Sequence, residues 1–302
     1  MSLSLFVRWQ GRELEKEMRG TVHSVFRRAC NLLDGQGRLV AILGPDLPRA
    51  AWAMRLDSLP CTLDERLKPG MAFACDRDSL RIPAAGMELD RASARLWLGD
   101  QLSLGGVVPT VSRQRVLAYA ERAGWPGLCR LLSPEALPSE SRGLDAVLLV
   151  RFAAGREGLG AAARRCDVPK ALEAAGLLLG LGSGLTPAGD DFLGGFLAGL
   201  RAGAVEAKWR DFAESFGRAL LPQVPTATNR IAGAFLAHAC LGSFSETLGG
   251  LARALRNGCS GPELDRRTEA LLAFGGSSGA DTLSGLLSAV TPFSDASRRR
   301  FA

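Results

Sequence analysis

Gly180-Leu-Gly-Ser-Gly-Leu-Thr-Pro-Ala-Gly-Asp-Asp191 runs straight into the apolar stretch Phe192-Leu-Gly-Gly-Phe-Leu-Ala-Gly-Leu200. Four glycines, a Thr-Pro step and two adjacent carboxylates separate two segments of helical composition, Ala171 to Leu179 before them and 192–200 after. The pattern predicts helix, tight loop, helix, with Asp190 or Asp191 at the second helix's N-terminus, where a short acid caps free amides and complements the dipole. Gly182 and Gly184 flank Ser183 and carry no Cβ, so the loop is free to turn its N–H groups toward one point and cradle an anion. The adjoining acids would repel a bare anion, so a cation, a proton or a cationic group is expected beside it.

The same design returns once. Gly275-Gly-Ser-Ser-Gly-Ala-Asp-Thr-Leu-Ser-Gly-Leu-Leu287 aligns on the first stretch without a gap, pairing Gly189 with Gly279, Asp191 with Asp281, Leu193 with Leu283 and Gly195 with Gly285. One such loop reads equally well as a capped helix start, because Asp is a good cap. Two gapless copies, with Thr186, Ser277, Ser278 and Thr282 adding hydroxyls and Gly279 another flexible amide, point to two halves of one ligand site.

Around this core the chain has 302 residues, enough for one large domain or two ordinary ones, with 47% hydrophobic and 23% charged residues, as in water-soluble globular proteins. Met1 to Arg8 is too short an apolar start for a secretory signal, and no apolar run reaches the roughly 18 residues of a membrane span. A cytoplasmic protein is expected. The seven cysteines are scattered without a Cys-x-x-Cys, which argues against a disulfide scaffold and against structural zinc. The net charge of +6 is carried almost wholly by dispersed Arg, the tightest cluster being Arg298-Arg-Arg300, and the chain holds a single Tyr. A basic stripe with interleaved aromatics is missing, so no nucleic-acid partner is expected; a small anionic substrate is.

The chain reads as α+β. Val22 to Phe26, Arg38 to Leu43, Met71 to Cys75, Ser79 to Ile82 and Ala94 to Leu98 supply short strands, with a hairpin turn at Asp34-Gly-Gln-Gly37. Phe26 to Leu33 fits strand or helix equally. A β-rich domain, barrel or sandwich, is expected over 1–131, with helical sequence beginning near Ser112. A Pro- and Ser-rich linker follows over 132–143, then a mainly α-helical domain over 144–302. Between the Gly-Asp loops, Thr226, Thr228, Asn229 and Arg230 stand at a helix start, where they could donate to carboxylate or phosphate oxygens or simply cap and decorate the helix. Glu246, three after Ser243, fits a capping box. His238 reads as a packed histidine. His23, beside Ser24 on a strand, is one of only two His and so a candidate acid or base.

These residues together resemble the AllH-like family, which includes a subunit associated with the oxamate carbamoyltransferase of anaerobic allantoin breakdown. The resemblance rests on 180–191 and extends to Val22-His-Ser-Val-Phe26, to Thr228 through Leu236, to Glu246 and to Gly276 through Thr282. It implies transfer of a carbamoyl group between carbamoyl phosphate and a small carboxylate such as oxamate, or the reverse reaction from oxalurate. It also implies partner subunits; separately, no cofactor is expected to be required, with Mg²⁺ possible. The family's middle motif carries a second Thr and a following Ser, where this chain has Asn229 and Ala232, a departure that bears on the identity of its acceptor.

Carbamoyl transfer needs preorganised donors for a phosphate leaving group and a developing oxyanion. The amides at 182–184 and 277–279, with Thr186, Ser278 and Arg230, are candidates for that role; Asp191 or Asp281, with Asp190 beside them, could take the proton of the attacking amide. No Ser-His-Asp or Cys-His set exists, so no covalent intermediate is expected. Two alternatives stand beside this reading. One is a Mg²⁺-dependent hydrolase of the ADP-ribosyl-glycohydrolase type, its ion held by Asp190, Asp191 and Asp281. The other is a non-catalytic subunit that completes a partner's site.

Overall fold

A computed structural model describes residues 3–102, 104–124, 126–132 and 144–298, the side chains of 100–101, 144–146 and 291–298 excepted. Apart from Leu132, the expected linker 132–143 lies outside the described residues, as do the side chains of Arg298 to Arg300. Two compact units, Met1–Asp100 and Gln101–Ala302, make up the chain.

The first unit is a β-barrel. Its strands are β1 (Leu3–Gly11), β2 (Met18–Val25), β3 (Ala29–Asp34), β4 (Leu39–Leu43), β5 (Ala53–Leu56), β6 (Ala72–Cys75), β7 (Ser79–Ile82), β8 (Met87–Asp90) and β9 (Arg95–Trp97), with the one-turn helix α1 (Leu63–Arg66) after β5. Hydrogen bonding runs β5-β4-β3-β2-β6-β7-β8-β1-β9, and β1 also pairs with β5, Val7 opposite Leu56, which closes the sheet on itself. Closure removes the exposed strand edges that an open sheet would offer to other chains. The stretch 26–33 that fitted either structure is strand from Ala29, buried on both faces, hence its continuous apolar run without alternation. Asp34 closes the following hairpin, its carboxylate accepting from the N–H groups of Gln36 and Arg38 at 2.9 and 2.8 Å. The interior is filled by Leu5, Val7, Val22, Leu32, Ile42, Met54, Leu56, Leu80, Ile82 and Leu89. Each such side chain contributes about 1.5–3 kcal/mol on burial.

The second unit is helical: α2 (Thr110–Arg122), α3 (Leu144–Arg165), α4 (Val168–Gly176), α5 (Ala188–Gly203), α6 (Ala207–Leu220), α7 (Val224–Ala227), α8 (Arg230–Cys240), α9 (Glu246–Asn257), α10 (Gly261–Leu272) and α11 (Ser278–Arg298). A 3-10 turn over Gly127–Leu132 precedes α3. Past its first turn helix α5 is buried on nearly all sides and lies at the centre, packed on α11, α8, α9 and α6. Phe192 stacks on Phe196 at 6.3 Å, and Phe196 meets Phe216 of α6 edge-on at 6.4 Å.

The contact between α5 and α11 decides where the two Gly-Asp loops go. A Cβ on Gly195 would lie 1.9 Å from the Thr282 carbonyl oxygen, and a Cβ on Gly285 would lie 1.9 Å from that of Phe192. Only glycine permits so close a crossing. Because 192 and 195 correspond to 282 and 285, the contact is reciprocal, as across a two-fold axis. The helix starts repeat the relation: a Cβ on Gly189 would lie 1.9 Å from the Leu178 carbonyl oxygen, and one on Gly279 would lie 1.8 Å from that of Leu271. The duplication read from the sequence is therefore a pseudo-two-fold pair of helix–loop–helix units.

Candidate functional site

Crossing at their glycines brings the loop before α5 and the loop before α11 side by side. Thr186 of the first and Ser278 of the second share a hydrogen bond of 2.7 Å between their hydroxyls. The loop tips, Ser183 to Leu185 and Ala273 to Ser277, are exposed, whereas Gly189 and Asp190, and likewise Gly279, Ala280 and Asp281, are buried. Left-handed backbone at Gly180, Gly182, Gly184 and Gly275 (φ 66°, 117°, 104° and 65°) makes both turns. Among the described residues the N–H groups of Gly182, Ser183, Gly184, Gly276 and Ser277 carry no hydrogen bond, so they are available as donors.

Each acid has a distinct task, and none caps its own helix. The N-cap of α5 is Pro187, whose fixed φ suits a helix start, and Asp190 and Asp191 sit in the first turn. Asp190 accepts from the Gly180 N–H at 2.9 Å and from the Thr228 hydroxyl, tying the loop to the segment before α8. Its burial raises the carboxyl, and those two donors oppose the rise. Asp281 accepts from the Leu128 N–H at 2.8 Å. Burial raises it as well, opposed by the Leu128 amide, the Ser277 hydroxyl and the charge of Arg130. The turn at Gly127–Leu132 is fastened further by the Cys129 thiol on the Ala280 carbonyl at 3.2 Å and the Ser284 hydroxyl on the Leu128 carbonyl at 3.1 Å.

Asp191 differs from both. Its Oδ2 is buried and has no hydrogen-bond partner. Burial pushes the carboxyl up to about 7; the Ser278 and Thr186 hydroxyls beside it oppose this, and the charges of Asp281 and Asp190 add to it. Because the two hydroxyls bond each other, one of their two protons is already used, and at most one remains for the carboxylate. A carboxyl that titrates near neutrality between two glycine loops suits a proton acceptor or donor.

The other candidates fall in four places. Thr226 donates to the Gln223 carbonyl at 3.2 Å, and Asn229 is the N-cap of α8, accepting from Ile231 and Ala232 at 3.1 Å each. Arg230 follows as the exposed first residue of α8, and Thr282 stands half-buried in the first turns of α11. Glu246 opens α9, but its cap is Ser245, whose hydroxyl accepts from Leu248 N–H; the capping box expected from Ser243 does not form, because Ser243 is buried in a two-residue strand. His23 and Ser24 lie on β2 of the barrel unit, where Asn31 donates to the Ser24 hydroxyl at 3.0 Å and His23 Nδ1 is buried without a partner. Among the described residues no group of three or more His, Cys, Asp or Glu is disposed to hold a metal ion. The sequence reading missed Leu128 and Arg130. Gly127-Leu-Cys-Arg130 carries no motif, and its one signal is Gly127, left-handed and with space for a Cβ only 2.6 Å from Asp281 Oδ1.

Two family models match the chain. The one described as oxamate carbamoyltransferase subunit AllH covers residues 178–290, and the AllH family N-terminal domain covers 3–96. The chain belongs to the AllH family. No curated protein and no solved structure matches it. The larger AllH match takes in both Gly-Asp loops and the segment carrying Thr228, and the N-terminal match takes in the barrel. The family description names a subunit, and among the described residues no helix is long and apolar enough to cross a membrane.

Proposed function

We propose that this chain is a subunit of a carbamoyltransferase that moves a carbamoyl group between carbamoyl phosphate and a small carboxylate such as oxamate, with the paired Gly-Asp loops holding the reacting groups. The observation that carries the reading is the 2.7 Å contact between Thr186 and Ser278, which joins the loops around the half-satisfied carboxyl of Asp191. The family's description supports the same reaction.

In the forward direction the amide nitrogen of oxamate attacks the carbamoyl carbon, a C–N bond forms, and the C–O bond to phosphate breaks, yielding oxalurate and phosphate. The nitrogen must lose a proton, and Asp191 takes it. Asp190 and Asp281 are engaged by Gly180, Thr228 and Leu128, so they hold the scaffold in place. The free amides of Gly182 to Gly184 and of Gly276 and Ser277, with Arg130, whose charge acts on Asp281, and with Arg230 as a candidate side-chain donor, receive the phosphate and the developing oxyanion.

Calorimetric titration with carbamoyl phosphate, with and without Mg²⁺, tests the reading. Binding that is indifferent to Mg²⁺ supports it; binding that requires Mg²⁺ favours a metal-dependent hydrolase. Copurification then shows whether partner subunits are needed for turnover, and activity from the isolated chain would eliminate a purely accessory role.

A further inference from the structure

The two halves of the site are related by a pseudo-two-fold, yet their acids are not equally satisfied. Asp281 receives a backbone amide, Leu128 N–H at 2.8 Å, supplied by the turn at Gly127–Leu132. Asp191 is its counterpart by gapless alignment and by the reciprocal contacts of Gly195 with Thr282 and Gly285 with Phe192. Among the described residues no segment brings Asp191 an equivalent amide, and its Oδ2 is left buried without a partner. The hydroxyls beside it cannot make up the deficit, since Thr186 and Ser278 spend one of their two protons on each other. A buried carboxylate oxygen left unpaired is destabilising, and a ligand N–H would relieve it.

We infer that Asp191 accepts an N–H from a primary amide or carbamoyl group of the substrate, at the place its counterpart Asp281 gives to the peptide N–H of Leu128. The inference rests on the reading of the two loops as a substrate site and adds which end of the substrate faces the acids. The nitrogen end lies against Asp191, and the anionic end lies away from it, toward the exposed amides of the loop tips. This orientation also resolves the electrostatic conflict of an anion site lined by three acids: the charge they would repel is turned outward. It places the amide proton on the group whose raised carboxyl can take it.

Oxamate and pyruvate test this, because they share charge and shape and differ by an NH₂ in place of a CH₃. Each is titrated calorimetrically into the full chain, alone and together with the subunits that copurify with it. The expected result is that oxamate binds at least about tenfold more tightly than pyruvate, an interval of about 1.4 kcal/mol. Asp191→Leu, which offers no acceptor, should erase that preference, while the loss of the negative charge moves the affinities for both anions together. Equal affinities for the two in the parent protein overturn the inference while leaving the anion-site reading intact, and this arm needs no variant to fold. Retention of the oxamate preference in a folded Asp191→Leu variant overturns it too. If oxamate, pyruvate and carbamoyl phosphate all fail to bind in either preparation, the loop site itself is wrong, and the inference falls with it.

Discussion

Replacing Asp191 by Asn removes one titration and keeps the side chain's shape. In the folded chain burial holds this carboxyl at about 7, against an ordinary value of 3.8. An acid raised in this way keeps its proton longer in the folded than in the unfolded state. Its contribution to stability is therefore greatest below about pH 4, is lost as pH rises toward 7, and is level above that. The interval from 3.8 to about 7 corresponds to a loss of about 4 kcal/mol in total, of which about 3 falls between pH 4.5 and 8.5. Asp190 and Asp281 are raised by burial and act in the same direction, but they remain in the variant, so the difference between the proteins isolates Asp191. Asp34, Asp76 and Asp265 are lowered by their hydrogen bonds, and their contributions vanish only in stronger acid, outside this range. The assay is urea denaturation of parent and Asp191→Asn at steps from pH 4.5 to 8.5. The variant's stability relative to the parent should climb by about 3 kcal/mol across the series. A difference that stays constant with pH refutes the assignment of a buried, proton-retaining Asp191.

Three further outcomes follow from the same geometry. Gly195→Ala and Gly285→Ala each drive a methyl into a carbonyl oxygen 1.9 Å away, and each should cost about 3 kcal/mol in chemical denaturation. The two losses should be similar because the contact is reciprocal. Thr228→Val removes a donor from Asp190 Oδ2, lowers stability by about 1–3 kcal/mol, and does so more at pH 8 than at pH 5, since the charged carboxylate is the form that loses its partner. Asp281→Ala orphans the buried Leu128 N–H and should cost about 1–3 kcal/mol, with faster amide exchange at Leu128 as its local signature.

Much of this arrangement was legible in the sequence because it is written in glycines and acids at a repeated spacing. Gly189 with Asp191 and Gly279 with Asp281 announced two like loops, and the pairing of Gly195 with Gly285 at the same offset carried the likeness into the helices, where the structure puts their crossing. The strand at Ala29–Asp34 could not be told from helix, because burial on both faces erases the alternation that identifies a strand. β1, β5 and β8 carried too little turn chemistry around them to be picked out, and of the two β architectures expected, closure into a barrel depends on the β1–β5 pairing between distant segments. Leu128 escaped notice for a related reason. Its role lies in a backbone N–H, which every non-proline residue possesses, and its partner is 153 positions away. Asn229 was read as a donor or a cap, and the geometry around Ile231 and Ala232 shows a cap.

The central claim is that the two loops form one site, and a double-mutant cycle on ligand affinity tests it most directly. Thr186→Val and Ser278→Ala each delete one hydroxyl from opposite loops, and oxamate affinity is measured for the parent, both single variants and the double variant. Each single change should weaken binding, and the two should be coupled by about 0.5–3 kcal/mol, as for residues in direct contact. Strictly additive effects, or a loss confined to one loop, would contradict it.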